Sequence, residues 1–452
     1  MSYQKAQDHL NSFINYERLN RYPYRSSFRL NRAKRLLEFL GNPHLSLRCV
    51  HIAGTKGKGS TCAFIAHILK EAGFKVGLYT SPHLLDVRER IRILKPSSIS
   101  LHLSADDKIP KKDFARLIEK TKPYAEKLRK TRLGSLSYYE LLTALAFLYF
   151  KSERCDFVVL ETGIGGRLDA TNVCQAELCA LTPISYEHRE VLGNTLEEIA
   201  REKVEIVKPA TRAVITAPQR PTVLRIIKRQ TRRTGARLLQ VGKEIRIRNE
   251  SLASRSQSFD LTGVFGDYSG LKMHLLGMHQ ITNAAVALGC IGYFKRQGVN
   301  ISTKAIKEGL KKTLWPGRLD IISHWPKIVL DGAQNQASAH ALKKSLKSFF
   351  KFKNLILVLG VSQDKDVRGI SKELVPISDR IILTKSENPR AMHPEIIKKF
   401  ISASKGPVCL TDNTKEALEM AVECVDGNDL VLVTGSLFLV AEVLKLKNEE
   451  SF

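Results

Sequence analysis

Acidic residues are scarce in this chain: 45 Asp and Glu stand against 72 Lys and Arg in 452 residues, an excess of 27 positive charges. Such a surface attracts anions, which fixes the sign of the partner but not its identity. Nucleic acid, nucleotide phosphates and a polyanionic small substrate all fit, as does a generally basic proteome. The densest basic stretch, Arg220 to Arg255, has no interleaved aromatics and no nucleic-acid-binding motif, so it reads as a solvated face. The eight cysteines, at 49, 62, 155, 174, 179, 290, 409 and 424, form no CxxC pair, and neither a zinc site nor a disulfide framework is indicated. Long apolar runs are missing too. The longest, Tyr138 to Phe150, is too short to span a bilayer and contains Glu140, and the opening MSYQKAQDHLNSF has no apolar signal core. A cytoplasmic, reducing location with no membrane association is expected. Internal repeats, low-complexity tracts and a serine- or cysteine-hydrolase constellation are also lacking.

What is present is ordinary globular material, 43% hydrophobic and 26% charged, long enough for two domains. From Cys49 onward short β-rich runs alternate with amphipathic helical stretches: strands at 49–53, 76–80, 156–161, 177–182 and 212–216, helices at 60–72, 138–152 and 195–207. This alternation predicts an α/β fold with a mostly parallel sheet. Shorter strands between about 238 and 276 predict a small antiparallel insert, followed by a helix carrying His279 to Gly289. A second α/β alternation, Rossmann-like, follows Trp315-Pro316-Gly317-Arg318, with strands at 327–331, 354–360, 379–384 and 429–434 and helices at 336–350, 393–402, 414–424 and 436–447. The expected organisation is a first α/β domain over 1–305, a hinge linker over 306–316 and a second α/β domain over 317–452.

The strongest local signal is Gly54-Thr55-Lys56-Gly57-Lys58-Gly59-Ser60, between an apolar strand and a helix start. Backbone N–H groups of such a loop and the following helix N-terminus cradle phosphates. Gly57, Lys58, Gly59 and Ser60 are therefore candidate ATP-binding residues, with Lys58 reaching the terminal phosphates. The strict Walker pattern fails, because Gly59 stands where Ser or Thr follows the lysine and Ile52 where the first glycine belongs. A plain glycine-rich turn is the competing reading.

Further runs stand in a fixed order along the chain: Tyr79-Thr80-Ser81-Pro82-His83-Leu84, Glu161-Thr162-Gly163-Ile164-Gly165-Gly166-Arg167-Leu168-Asp169-Ala170-Thr171-Asn172, Glu197-Glu198-Ile199-Ala200-Arg201-Glu202-Lys203, His279-Gln280-Ile281-Thr282-Asn283, Trp315-Pro316-Gly317-Arg318-Leu319-Asp320, Asp331-Gly332-Ala333 and Thr434-Gly435-Ser436-Leu437-Phe438. Together they resemble the folylpolyglutamate synthase/dihydrofolate synthase family, a branch of the Mur-ligase superfamily, from about residue 30 to 445. The resemblance implies an ATP-dependent ligase that joins L-glutamate to a folate-type carboxylate, dihydropteroate or a reduced folate, through an acyl phosphate. Substrates would be ATP, L-glutamate and the folate; one or two Mg²⁺ ions would assist; the enzyme would be a monomer without nucleic acid. A Mur-type ligase acting on a cell-wall precursor is the neighbouring alternative, and a nucleic-acid-binding P-loop ATPase a more distant one.

The resemblance also implies residue roles. Ser81, Glu161 and His188 become candidate metal ligands, Asn283, Arg318 and Asp331 candidate ATP contacts, and Ser137, Tyr138, Tyr139, Glu140, Asp169, Ala170 and Thr171 candidate pterin contacts. Lys203 is the family's carbamylated lysine, so it should be partly buried with a lowered pKa, and it joins Lys58 and His188 in the catalytic set. Each has an ordinary alternative: Glu161 paired with Arg167, His188 an exposed loop residue, Lys203 paired with Glu202 or Glu205, Asn283 a polar residue at a helix start, Arg318 in a hinge salt bridge, Asp331 capping the next helix, the tyrosines in the core. The segment around Ser26 to Arg32 should help form a dihydropteroate site. Three positions depart from the family: Lys56 for its Asn, Glu187 for its Asp and Gln334 for its His. An NAD-binding reading of Gly163, Gly165 and Gly166 fails because Leu168 occupies the third glycine's place.

Overall fold

Cys49–Ala53, the first strand (β1), is buried at every position, as expected of a central parallel strand covered by helices on both faces. It lies mid-sheet in a computed structural model that describes residues 1–19, 27–96, 107–253, 255–402 and 404–449. The other strands of the first sheet are β2 (Val76–Tyr79), β3 (Ile91–Leu94), β4 (Phe157–Glu161), β5 (Leu178–Leu181), β6 (Ala213–Thr216) and β7 (Arg237–Gln240), in the order β3-β2-β4-β1-β5-β6-β7. All neighbours run parallel except β2 and β3. β1 sits between β4 and β5, and the chain leaves β1 toward β2 but leaves β5 toward β6 on the opposite side, which opens a crevice at the carboxyl ends of these strands.

β8 (Ile245–Ala253), β9 (Ser256–Gly263) and β10 (Tyr268–Met273) form the expected antiparallel insert. It begins later than its predicted start near 238, because Arg237–Gln240 pairs in parallel with β6 and extends the main sheet. The second sheet contains β11 (Asp320–His324), β12 (Lys327–Leu330), β13 (Leu355–Leu359), β14 (Arg380–Leu383), β15 (Val408–Leu410) and β16 (Leu430–Thr434), ordered β11-β12-β16-β13-β14-β15 and parallel except for the β11–β12 hairpin.

Four apolar clusters fill the molecule, two against the first sheet and two against the second. The helix Lys111–Arg129 is absent from the sequence reading; Pro123 lies inside it, yet Phe114, Leu117, Ile118, Thr121, Ala125 and Leu128 recur at helical spacing on its buried face. The helix predicted at 393–402 is shorter, Pro394–Lys398. The expected domain junction at 305 falls inside the helix Thr303–Lys312. That helix packs on Lys58–Glu71 so closely that a Cβ on Gly309 would lie 2.5 Å from Ile68 Cα, so the chain passes between the sheets only after Lys312.

Candidate active site

The carboxyl ends of both sheets face a cleft of about 1400 Å³. β1 runs into the glycine-rich loop, and the helix Lys58–Glu71 starts directly behind it. Backbone bonds dock the loop on the segment after β5: Thr55 N–H donates to the Pro183 carbonyl at 2.9 Å, and the Thr55 hydroxyl and Ser185 backbone exchange two bonds of 3.0 Å. Gly57 is left-handed (φ 85°), and a Cβ there would lie 2.2 Å from Asn283 Oδ1. Gly59 touches the Trp315 indole, 2.9 Å from a would-be Cβ, so local packing accounts for the broken Walker pattern. No side chain caps this helix. Its first N–H groups point at the cleft without an intrahelical partner, an arrangement suited to phosphate.

Lys58, Gly57, Gly59, Ser60, Ser81, Glu161, His188, Asn283, Arg318 and Asp331 all line the cleft. Glu161 ends β4 with one carboxylate oxygen 3.9 Å from Lys58 Nζ and the other accepting from Ser81 N–H at 3.0 Å. Burial raises its pKa while Lys58 opposes. Arg167, its alternative partner, pairs instead with Glu202 at 2.8 Å. His188 adopts φ 51°, and burial lowers its pKa to about 4 against the pull of Glu187, leaving a neutral imidazole. Asp331 accepts from Leu319 N–H at 2.9 Å and does not cap the next helix, whose cap is Asn335.

Lys203 lies on the buried face of Leu196–Val204, 3% exposed, and its Nζ donates to the Gly54 carbonyl at 2.8 Å. Burial first, then Lys58 and Lys56, lower its pKa to about 7, as the resemblance implied. The two glutamates that could have paired with it are engaged elsewhere, Glu202 with Arg167 and Glu205 with Arg233.

The expected pterin contacts fare differently. Tyr139 lines the cleft, its ring against Gly163. Ser137 and Glu140 are buried in a reciprocal capping box on Tyr138–Ser152, with Glu140 also 3.0 Å from Arg32. Asp169 is turned inward, accepting from Gly163 and Ile164 N–H at 2.8 and 3.0 Å and from the Thr171 hydroxyl at 2.6 Å. Thr171 in turn meets His51 at 2.8 Å, Ala170 is buried, and Tyr138 packs under the Arg90 guanidinium. Ser137, Glu140, Asp169 and Thr171 form a wall behind the cleft, their side-chain polar groups bonded to the backbone or to a neighbour. Of the segment around Ser26 to Arg32, Ser26 lies outside the described residues; the Ser27 carbonyl accepts from Arg32.

Other cleft residues escaped the sequence reading. Tyr16, Glu17 and Phe28 line one wall, and Glu17 holds the buried Arg90 through bonds of 2.7 and 2.5 Å. Asp364, Lys365 and Arg390 line the opposite wall, Asp364 lying 2.9 and 3.5 Å from the two cations. For these three a signal existed: they follow the ends of strands in a parallel sheet.

Residues 112–291 match the Mur ligase middle domain, and residues 317–437 match the Mur ligase glutamate ligase domain. The chain is 33% identical over 419 residues to the dihydrofolate synthase/folylpolyglutamate synthase of Bacillus subtilis, covering 92% of this chain and 94% of that protein. The chain belongs to the folylpolyglutamate synthase/dihydrofolate synthase family. Another member, the dihydrofolate synthetase of Saccharomyces cerevisiae, is 31% identical, with 93% of this chain and 97% of that one covered. The Mycobacterium tuberculosis folylpolyglutamate synthase, solved in complex with ADP and AMPPCP, superposes with a TM-score of 0.84 at 30% identity, covering 93% and 95% of the two chains. Family membership thus favours the folate branch over a cell-wall ligase or a nucleic-acid-binding ATPase.

Proposed function

We propose that this chain is the ATP-dependent ligase that its family membership implies, forming an amide between L-glutamate and the carboxylate of dihydropteroate or a reduced folate. The observation that carries the reading is the convergence of the uncapped phosphate loop, Lys58 and Glu161 on a cleft lined by both sheets, with Lys203 buried directly behind the loop. Amide formation in water is uphill, so a carboxylate oxygen first attacks the γ-phosphorus of ATP, releasing ADP and leaving an acyl phosphate. The glutamate amine then attacks the acyl carbon; inorganic phosphate departs and the amine gives up a proton. Lys58 and the helix N–H groups would stabilise charge on the transferring phosphoryl group, while Asn283, Arg318 and Asp331 hold the nucleotide from two sides of the cleft.

Mg²⁺ fits the residues present. Among the described residues no cluster of three His, Cys, Asp or Glu could hold a metal, but Mg²⁺ is commonly bound by one or two carboxylates with nucleotide phosphates completing its shell. Glu161 is a buried carboxylate whose nearest cation, Lys58, is 3.9 Å away, leaving its charge short of compensation. Glu161, the Ser81 hydroxyl and His188 would hold one or two such ions, whose chemistry is to neutralise phosphate charge. A carbamate on Lys203 would replace a cation with an anion near these groups, and an amine whose pKa burial lowers to about 7 supports that modification.

The segment after Lys312 would act as the hinge, since Asn283 precedes it and Arg318 and Asp331 follow. A monomer in the cytoplasm completes the reading; no helix among the described residues is long and apolar enough to cross a membrane. Mass spectrometry of products formed with ATP, glutamate and either dihydropteroate or tetrahydrofolate tests it. A product heavier by one or more glutamyl residues, with ADP released, is expected. ATP turnover that ignores both acceptors would sink it.

A further inference from the structure

Glu187 Oε1 is the meeting point of three loops. It receives Lys56 Nζ at 2.5 Å from the phosphate loop after β1, and Gln334 Nε2 at 3.2 Å from the loop after β12. Among the described residues, the Gln334 bond is the one hydrogen bond joining the part up to Lys312 to the part from Gly317 onward. The Glu187 side chain is 10% exposed, and both lone pairs of this oxygen are taken. One carboxylate oxygen thus accepts from an ammonium and from an amide that come from different parts of the chain.

We propose that Lys56, Glu187 and Gln334 form a latch that ties the phosphate loop to the second sheet and positions that sheet for attack of the glutamate amine on the acyl phosphate. The inference rests on the ligase reading. Lys56 immediately precedes Gly57, so a shift of the loop around bound phosphate reaches Gln334 through a single carboxylate oxygen. The residues are positioning residues, acting on the placement of the second sheet. When the latch is open, water reaches the acyl phosphate before the amine does. Water then supplies the oxygen that restores the carboxylate, inorganic phosphate leaves, and ATP is consumed without an amide bond.

The test follows ADP and amide product in parallel for the full-length enzyme and for Gln334→Ala, Gln334→Glu and Gln334→His. Wild type should release close to one ADP per amide. Gln334→Ala should raise that ratio by about tenfold, the scale of a lost hydrogen bond to a charged group. Gln334→Glu should raise it further, since it sets two carboxylates against each other, whereas Gln334→His should restore a donor and a ratio within about twofold of wild type. A general packing defect would lower ADP and amide together, and that result overturns the latch. So does an unchanged ratio in both Gln334→Ala and Gln334→Glu when wild type ligates. If wild type forms no amide with any folate acceptor, the ligase reading falls and the latch with it.

Discussion

Two central strands of this molecule, one in each sheet, run into glycine and then a helix, and they finish differently. β16 passes through Gly435 to Ser436, whose hydroxyl accepts from Phe438 N–H at 3.1 Å and caps the helix Leu437–Asn448. β1 passes through a longer loop to Gly57, which has no side chain to offer the helix Lys58–Glu71. One helix spends an N-terminal donor on itself; the other leaves its donors for a ligand. The same division holds for charge. The end of the first sheet gathers Lys56, Lys58, Glu161, Glu187, His188 and Lys203, whereas β16 ends in Thr434, Gly435 and Ser436. A strand, a glycine and a helix therefore specify a place for a ligand only when the cap is withheld and a cation is supplied.

Removing the cation should break this contrast most severely. Lys58→Ala takes away the loop lysine that faces Glu161 while Lys56 stays engaged with Glu187, and kcat should fall by about 10³-fold, the scale of losing a group that stabilises transition-state charge. Steady-state ADP release with a circular dichroism spectrum like that of wild type checks it. Retention of a tenth of wild-type kcat would mean that the free helix donors suffice.

Lys203 sharpens the comparison from below the loop. Lys203→Ala should cost about 10²-fold or more in kcat, and acetate or formate should return part of it by supplying carboxylate oxygens where the carbamate stood. Full activity in the mutant would remove the carbamate role. The unmodified lysine also leaves a pH signature. Its folded pKa, about 7, lies below the ordinary lysine value of 10.5, so between these values the unfolded chain binds a proton that the folded chain lacks. Stability should rise with pH through that window in carbon-dioxide-free buffer, and Lys203→Met should flatten the slope in urea titrations.

Gly59→Ser supplies the hydroxyl residue that the Walker pattern has after its lysine, yet kcat/KM should drop by about tenfold, because a Cβ there overlaps the Trp315 ring and strain of this kind costs about one to three kcal/mol. Adding Trp315→Ala should recover part of the loss. An active single mutant would show that the loop yields where Trp315 makes it look rigid.

The history of Gly59 shows what was legible. The phosphate loop and Glu161 at a strand end could be read because short local patterns fix them, whereas the helix pattern around Lys203 suggested an exposed, paired lysine and only the resemblance pointed to burial. Ser137 and Glu140 carry an equally local signal, the Ser-x-x-Glu spacing of a capping box, and the structure contains that box. Glu17 and Arg90 lie 73 residues apart and meet only through the fold. No periodicity encodes such a contact. The antiparallel edge strands β3 and β11 were missed for a related reason: an edge strand is defined by its partner, and neither has a long apolar run of its own.

The smallest expected effect comes from the second glycine turn. Ser436→Ala removes the hydroxyl that accepts from Phe438 N–H and leaves a helix start as bare as the one behind Gly57. Loss of a serine cap costs about 1 kcal/mol of stability. The cost should appear here in the urea midpoint, because Ser436 is 5% exposed and water has little access to replace it. The exchange itself adds no cation, and Arg390, whose guanidinium lies 5.5 Å over the Phe438 ring, is already paired with Asp364 at 3.5 Å. The freed donor alone should therefore not create a second phosphate site. Equilibrium binding of ADP to Ser436→Ala should give one site per chain with an affinity within about twofold of wild type, while the unfolding midpoint falls. A second ADP site would mean that an uncapped helix suffices without a lysine, and the contrast between the two strand ends would collapse.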